Sequence, residues 1–539
     1  MTAVADLILH NGRIWRGKAE GYCEALAVWQ GRVLATGSPD EIMALKGAAT
    51  EVIDLEGRFA SPGLIDNHLH LLGTGFVMGM VNATPAFAPT VEDLIKAIAE
   101  RAKTTPKGQW IRARGYDQTK YPTGAHPTRD DLDLAAPDHP VLVTRACGHI
   151  TIANSKALEL GGITDETPDP DGGVIGRSNG RLNGLLAENA MDLVYSVVPT
   201  PTTEQLIGAI EAGGNYLLSL GITSCMDAAV GQIAGLEEMR AYEFAKLAGR
   251  LPVRVWLTLL GDPSKSIVED CYRMGLVSGA GDDLLRVGAV KLFLDGSAGG
   301  RTAWMSEAYQ GQPDNFGVQM LPDDYVYERV QDLHDKGYAL ACHAIGDKAI
   351  EQLITAYEKA LEKTPDADRR HRIEHCGFPR GDQNDRMKAA GILPAPQQAF
   401  IYDFGDAYVS VLGEERGLKA FPIGTWERMG MNPSTGSDSP VCLPNPFPNL
   451  YALITRKTWK GTVMDETEVL ARDTALQVLT EYGAYSQKAE GVKGRLVPGQ
   501  LADIAVFSGN LLEDTPEVIL NDTKCVLTLL EGRVVYDAR

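Results

Sequence analysis

"RVGAVKLFLDG", residues 286–296, reads as a fully buried strand with one misfit. Its apolar run lacks the polar–apolar alternation of a half-exposed strand, which points to a parallel strand covered on both faces. Lys291 sits in the middle of that run. An unpaired buried ammonium costs several kcal/mol, or its pKa shifts until it is neutral. Side chains alternate along a strand, so Ala289, Lys291 and Phe293 share one face.

Outward from this stretch, short apolar runs alternate with helical stretches, as in successive parallel βα units. Seven further runs match: "GLIDNH" (63–68), "TSCMDA" (223–228), "VRVWLTLL" (253–260), "YALACHA" (338–344), "HRIEHC" (371–376), "GILPAP" (391–396) and "PSTGSD" (433–438). With 286–294 they make eight, the number that closes a (β/α)8 TIM-type barrel. Lys291 then points into the barrel. The gap between the first and second runs is far too long for one crossover, so an ordered α+β segment is expected at about 80–200. Within it, 140–160 reads as strand, turn and helix. Both ends of the chain carry Gly-Arg after a polar turn residue: "NGRIW" (11–15), "QGRVL" (30–34), "EGRFA" (56–60), "KGRLV" (493–497) and "EGRVV" (531–535). These are hairpin signals. The expected organisation is a small β-sandwich domain built from 1–60 and 486–539, around an α/β barrel spanning 61–485.

A chain of 539 residues is long enough for one large and one smaller domain. Its net charge of −20 argues against nucleic-acid or anionic-membrane partners. Eight scattered cysteines without C-x-x-C read as reduced thiols rather than a disulfide or zinc-ribbon framework. No charged-then-apolar leader and no 18-residue apolar run occur, so a cytoplasmic enzyme with a small-molecule substrate is expected.

Four of the ten histidines end candidate barrel strands. His68 and His70 form "HLH" and, at i and i+2, face the same way. His343 and His375 end the fifth and sixth strands, and Asp438 ends the eighth. The steps from 291 to 343, 375 and 438 are 52, 32 and 63 residues, about one βα unit each, with two in the last. Barrel active sites lie at the carboxyl ends of the strands, where such residues converge. Four imidazoles and a carboxylate there suit a metal site.

The same residues, with "SPGLIDNHLH", "GHITIANSKAL", "GRLNGLLAEN", "GITSCMDA", "AVKLFLDGS", "CHAIGD", "HRIEHC", "GSDSPV" and "GRLVPGQLADIAVF", closely resemble the amidohydrolase superfamily, in particular the branch with the N-substituted formamide deformylases. The resemblance implies that His68, His70 and Asp438 hold one metal and His343 with His375 a second. Lys291, as a carbon dioxide-derived carbamate, would bridge them, and its burial would be explained by coordination. A lysine ion-paired in the barrel to Asp295 or a neighbouring carboxylate is the competing reading. Nitrogen and oxygen donors without thiolate suit two Zn2+ ions, with Mn, Fe or Co as alternatives. The implied chemistry is attack of a metal-bridging hydroxide on an amide carbonyl, with Asp438 moving the proton. Relatives of this kind form homo-oligomers, so a dimer is expected.

Other signals carry less. "GRSNG" (176–180) fits a nucleophile elbow in letters but lacks strand–turn–helix context, and "GTGFVMG" (73–79) has the wrong spacing for a dinucleotide loop. His149 and Tyr116 in the insertion and Arg301 after the fourth strand are candidate substrate contacts. Rival functions are a deaminase or a lactone or ester hydrolase on the same barrel, and a non-catalytic scaffold. A deaminase relative carries a glutamate soon after the fifth-strand histidine, where this chain has Asp347.

Overall fold

The computed structural model describes residues 4–146, 148 and 150–539. Seven parallel strands form the central sheet: β1 (Leu64–Leu69), β2 (Ile222–Val230), β3 (Arg254–Leu260), β4 (Leu285–Lys291), β5 (Ala339–Ala344), β6 (Arg372–His375) and β7 (Leu393–Ala395). They are hydrogen-bonded in sequence order. Helices such as Asp347–Lys363, whose apolar residues recur at helical spacing and bury one face, join consecutive strands. Along the interior, Met226, Ala228, Trp256, Ala289, Ala339 and Ala341 form one cluster. Its small residues leave room for the polar groups at the strand ends.

The eighth expected strand differs from the reading of 433–438. No ladder forms there. Two backbone bonds nonetheless bring the segment against β1: Asn67 N–H to the Thr435 carbonyl (3.1 Å) and Asp438 N–H to the His68 carbonyl (2.7 Å). Between them, Ser437 N–H donates to the Asp66 carboxylate instead of to a strand. Asp438 has φ +56°, outside the extended region. These local diversions end the pleat while keeping the segment in barrel position. It packs at van der Waals limits: a Cβ on Gly436 would lie 2.4 Å from the His68 nitrogen.

The two ends of the chain supply two further sheets. One has the order Arg32–Gly37, Ala25–Trp29, Ala5–His10, Lys46–Asp54. The other runs Arg533–Asp537, Cys525–Leu530, Ile504–Phe507, Phe59–Pro62, Arg13–Trp15, Tyr22–Cys23. Leu9, Leu26 and Ile53 of the first and Ile14, Ile504 and Leu527 of the second share one hydrophobic cluster. Two of the five Gly-Arg signals are hairpins. Gln30–Gly31 and Glu531–Gly532 have positive φ at both residues and join paired antiparallel strands. Glu56–Gly57 has the same backbone but joins strands of different sheets, because a turn fixes the local reversal and not the partner. Asn11–Gly12 likewise joins strands of different sheets, and 493–497 contains no strand.

Gly75–Thr202 is a compact unit of its own. Its six-stranded sheet runs from Gly173–Ser178 to Val81–Asn82. The "GRSNG" serine, Ser178, ends the first strand of an antiparallel hairpin whose tip is Asn179–Gly180, both at positive φ. Among the described residues all cysteines are free thiols, and no helix is long and apolar enough to cross a membrane.

Candidate metal centre

His68 lies one residue before the end of β1, whose register is set by parallel pairing with β2. It is 1% exposed. Its Nδ1 bonds to Glu374, and its Nε2 lies 3.4 Å from Asp438 Oδ1. His70 reaches the same oxygen with its Nε2 at 3.3 Å. Both imidazoles of the "HLH" pair thus meet one carboxylate, as their shared strand face requires. His375, beside them at the end of β6, has its ring centroid 4.8 Å from that of His68. Ligand atoms of His68, His375 and Asp438 all lie within 4.8 Å of one another, and all three residues are buried. Glu374 and His375 alternate along β6, and the backbone turns to φ +68° at His375.

His343 joins this group only in part. Its ring packs 4.4 Å from that of His375, but its Nε2 sits 3.2 Å from both the Gly296 carbonyl and Asp295 Oδ1. Lys291 is fully buried, as its place in the apolar run predicts. Its Nζ has no hydrogen-bond partner among the described residues and lies 4.9 Å from the Phe293 ring centroid. Asp295 does not pair with it. That carboxylate accepts the backbone N–H groups of Trp304, Ile345 and Gly346 at 2.8–3.0 Å. Burial lowers the Lys291 pKa, against the pull of the Glu374 and Asp438 charges.

Supporting groups invisible in the sequence hold the donors in place. Glu374 is gripped by Arg372 through two bonds, Nε to Oε1 at 2.7 Å and Nη2 to Oε2 at 2.9 Å. Burial opposes ionisation of Glu374, but the Arg372 charge and His68 outweigh it and hold the carboxyl at about 2. An ionised Glu374 keeps the proton on His68 Nδ1 and frees Nε2 as a donor atom, the usual arrangement behind a metal-bound histidine. Gln397 Oε1 does the same for His375 Nδ1, and Phe400 stacks on the His375 ring at 6.0 Å. Asp438 stays ionised: burial opposes this, but the His68 and His70 imidazoles beside it hold its pKa well below the carboxylate range. A Glu374→Gln variant is expected to bind metal about 10–100-fold more weakly. Competition against a chelator of known affinity checks this, and unchanged affinity would show that His68 needs no carboxylate behind it.

The residues fit a metal. His68 Nε2 and Lys291 Nζ are both buried polar atoms with no hydrogen-bond partner, and each belongs to the donor set named from the sequence. Twelve other buried side-chain atoms among the described residues also lack a partner, so the fit rests on the meeting of His68 with His375 and Asp438 at the strand ends. The outer candidates fare differently. Tyr116 is buried in the hydrophobic core of the 75–202 unit, with its hydroxyl 2.9 Å from His126 Nδ1. Arg301, at φ +57°, forms a turn after β4 and is half-buried. His149 lies outside the described residues.

The parallel barrel is shared with known proteins. The amidohydrolase family model matches residues 51–536, and the chain belongs to that family. It is a metal-dependent hydrolase by class. It is 32% identical over 540 residues to the YtcJ protein of Bacillus subtilis (strain 168), covering 98% of this chain and 99% of that one. The N-substituted formamide deformylase of Arthrobacter pascens is 27% identical, with 100% and 99% covered. Among solved structures, an uncharacterized metal-dependent hydrolase from Pyrococcus furiosus superposes with a TM-score of 0.77 at 28% identity, covering 94% of this chain and all of that one.

Proposed function

We propose that this protein hydrolyses a non-peptide C–N amide bond of a small substrate, with an N-substituted formamide as the specific candidate. The observation that carries the reading is the buried convergence of His68, His375 and Asp438, in a barrel that also buries the unpartnered amine of Lys291. Likeness to the Arthrobacter pascens deformylase over the whole chain supports the formamide. In this reading His68, His70 and Asp438 would hold one Zn2+, His343 and His375 would hold a second, and Lys291, as a carbamate, would be a ligand to both. The carbamate forms when the Lys291 amine attacks the carbon of CO2 and loses a proton. When bound, the ions supply Lewis acidity and make a water acidic enough to attack a carbonyl near pH 7. The chain's own residues do the rest. Asp438, fixed by His68 and His70, takes the water's proton on its carboxylate and gives it to the leaving amine. Glu374 and Gln397 keep both rings in one tautomer, and Phe400 shields the His375 ring from solvent.

One observation favours a single-ion, deaminase-like reading: His343 Nε2 is occupied by Asp295 and Gly296. Metal analysis of the purified chain separates the cases. About two equivalents support the binuclear site, one supports the deaminase and none supports a scaffold. A hydrolysis screen of metal-loaded enzyme over formamides, acyl-amino acids, cyclic amides and lactones then identifies the substrate. Turnover of lactones alone would overturn the amide assignment.

A further inference from the structure

The barrel has a second opening. A cavity of about 260 Å³ lies among Trp256, Arg286, Gly288, Ala339, Arg369 and neighbouring residues. Arg286 and Gly288 fall in the first half of β4, Ala339 opens β5, and Arg369 precedes β6. These are the amino ends of strands whose carboxyl ends carry Lys291, His343 and His375, so the cavity is at the end remote from the metal cluster.

Its lining is rich in donors. Arg286, Arg369, Arg370 and Lys488 face it with one carboxylate, Asp366. Part of this charge is matched. Arg370 spends all its nitrogens on Asp368, Glu490 and the Tyr485 carbonyl. Lys488 pairs with Asp368 at 3.5 Å. Arg369 uses Nε on Asp366 and Nη1 on the Tyr338 carbonyl, which leaves Nη2. Among the described residues Arg286 makes a single side-chain bond, Nη2 to Asp283 at 3.3 Å, leaving Nε and Nη1. Trp256 is 7% exposed, and its indole N–H has no hydrogen-bond partner among the described residues. Its ring lies flat against Gly288, where a Cβ would come within 2.1 Å of it.

We propose that this cavity is a binding site for a small oxyanion, a phosphate or carboxylate group on a compact metabolite, held by Arg286, Arg369 and the Trp256 N–H. Spare guanidinium N–H groups in a concave, low-dielectric setting make charge-assisted bonds that a neutral ligand cannot. The site is also connected to the other end of the barrel. Ser486 and Gln487 line it; Gln487 Nε2 donates to Asn67 Oδ1 at 2.8 Å, and Arg372 Nη1 donates to Ser486 Oγ at 3.3 Å. Asn67 precedes His68, and Arg372 holds Glu374.

The test is calorimetric titration of the metal-loaded protein with inorganic phosphate at fixed ionic strength, repeated with succinate. Saturable phosphate binding that weakens about tenfold or more in Arg286→Gln, the loss expected for one charge-assisted bond, supports the site. Trp256→Phe, which keeps the ring and removes the N–H, should weaken it as well and serves if Arg286→Gln does not fold. Displacement of phosphate by succinate identifies a general oxyanion site, and failure of succinate to compete restricts it to phosphate. No saturable heat, or binding that both variants leave unchanged as phosphate on the His68–Asp438 cluster would be, overturns the proposal.

Discussion

Lys291→Ala is expected to lower hydrolysis by more than about 100-fold, beyond the range seen when only a group behind a metal ligand is lost. The protein should also lose bound metal. The physical basis is the isolation of the Lys291 amine: it is fully buried, has no hydrogen-bond partner and is not paired with Asp295. Such a group is unfavourable unless chemistry changes it. The variant therefore has a signature with two signs. In metal-free protein, alanine removes a buried amine, so the melting temperature should hold or rise apart from the cost of the cavity. In metal-loaded protein it should fall, because the stabilisation conferred by a ligand follows its affinity. Metal content and paired melting curves measure this. Retained metal with full activity would show that Lys291 plays no bridging part.

Gly436→Ala is the second large effect. A Cβ there would lie 2.4 Å from the His68 nitrogen, 2.5 Å from the His68 carbonyl oxygen and 2.8 Å from Asp66 Oδ1. The first two are backbone atoms that no rotamer change can move. The segment must shift from β1, taking with it the bonds at Asn67 and Asp438 that hold it there. A loss of about 3 kcal/mol or more is expected, with activity falling too as Asp438 leaves His68 and His70. Denaturant unfolding reads the stability. Gly299→Ala, where a Cβ meets nothing within 4 Å, is the neutral control. Equal stability of the two variants would mean that the eighth segment is not held as described.

The sequence made much of this visible. Apolar runs located seven barrel strands to within a few residues, because strands buried on both faces leave unbroken hydrophobic runs. The lysine in such a run, and histidines at strand ends, exposed the site. What escaped was set by tertiary partners. Whether 433–438 forms a ladder depends on the Asp66 side chain 371 positions away. Glu374 and Gln397 look like any polar residues until the fold aims one at His68 and the other at His375. The Gly-Arg turns announced reversals, but which strands they joined depended on sheets assembled from both ends of the chain.

That assembly constrains biosynthesis. Phe59–Pro62 pairs on one side with Arg13–Trp15 and on the other with Ile504–Phe507. A ribosome therefore emits the amino-terminal strands and then keeps translating for roughly 20–90 s, at about 5–20 residues per second, before their last partner exists. Through that interval the nascent chain carries an uncapped sheet edge, the kind of surface that recruits wrong partners. The strand Ile504–Phe507 then seals that edge.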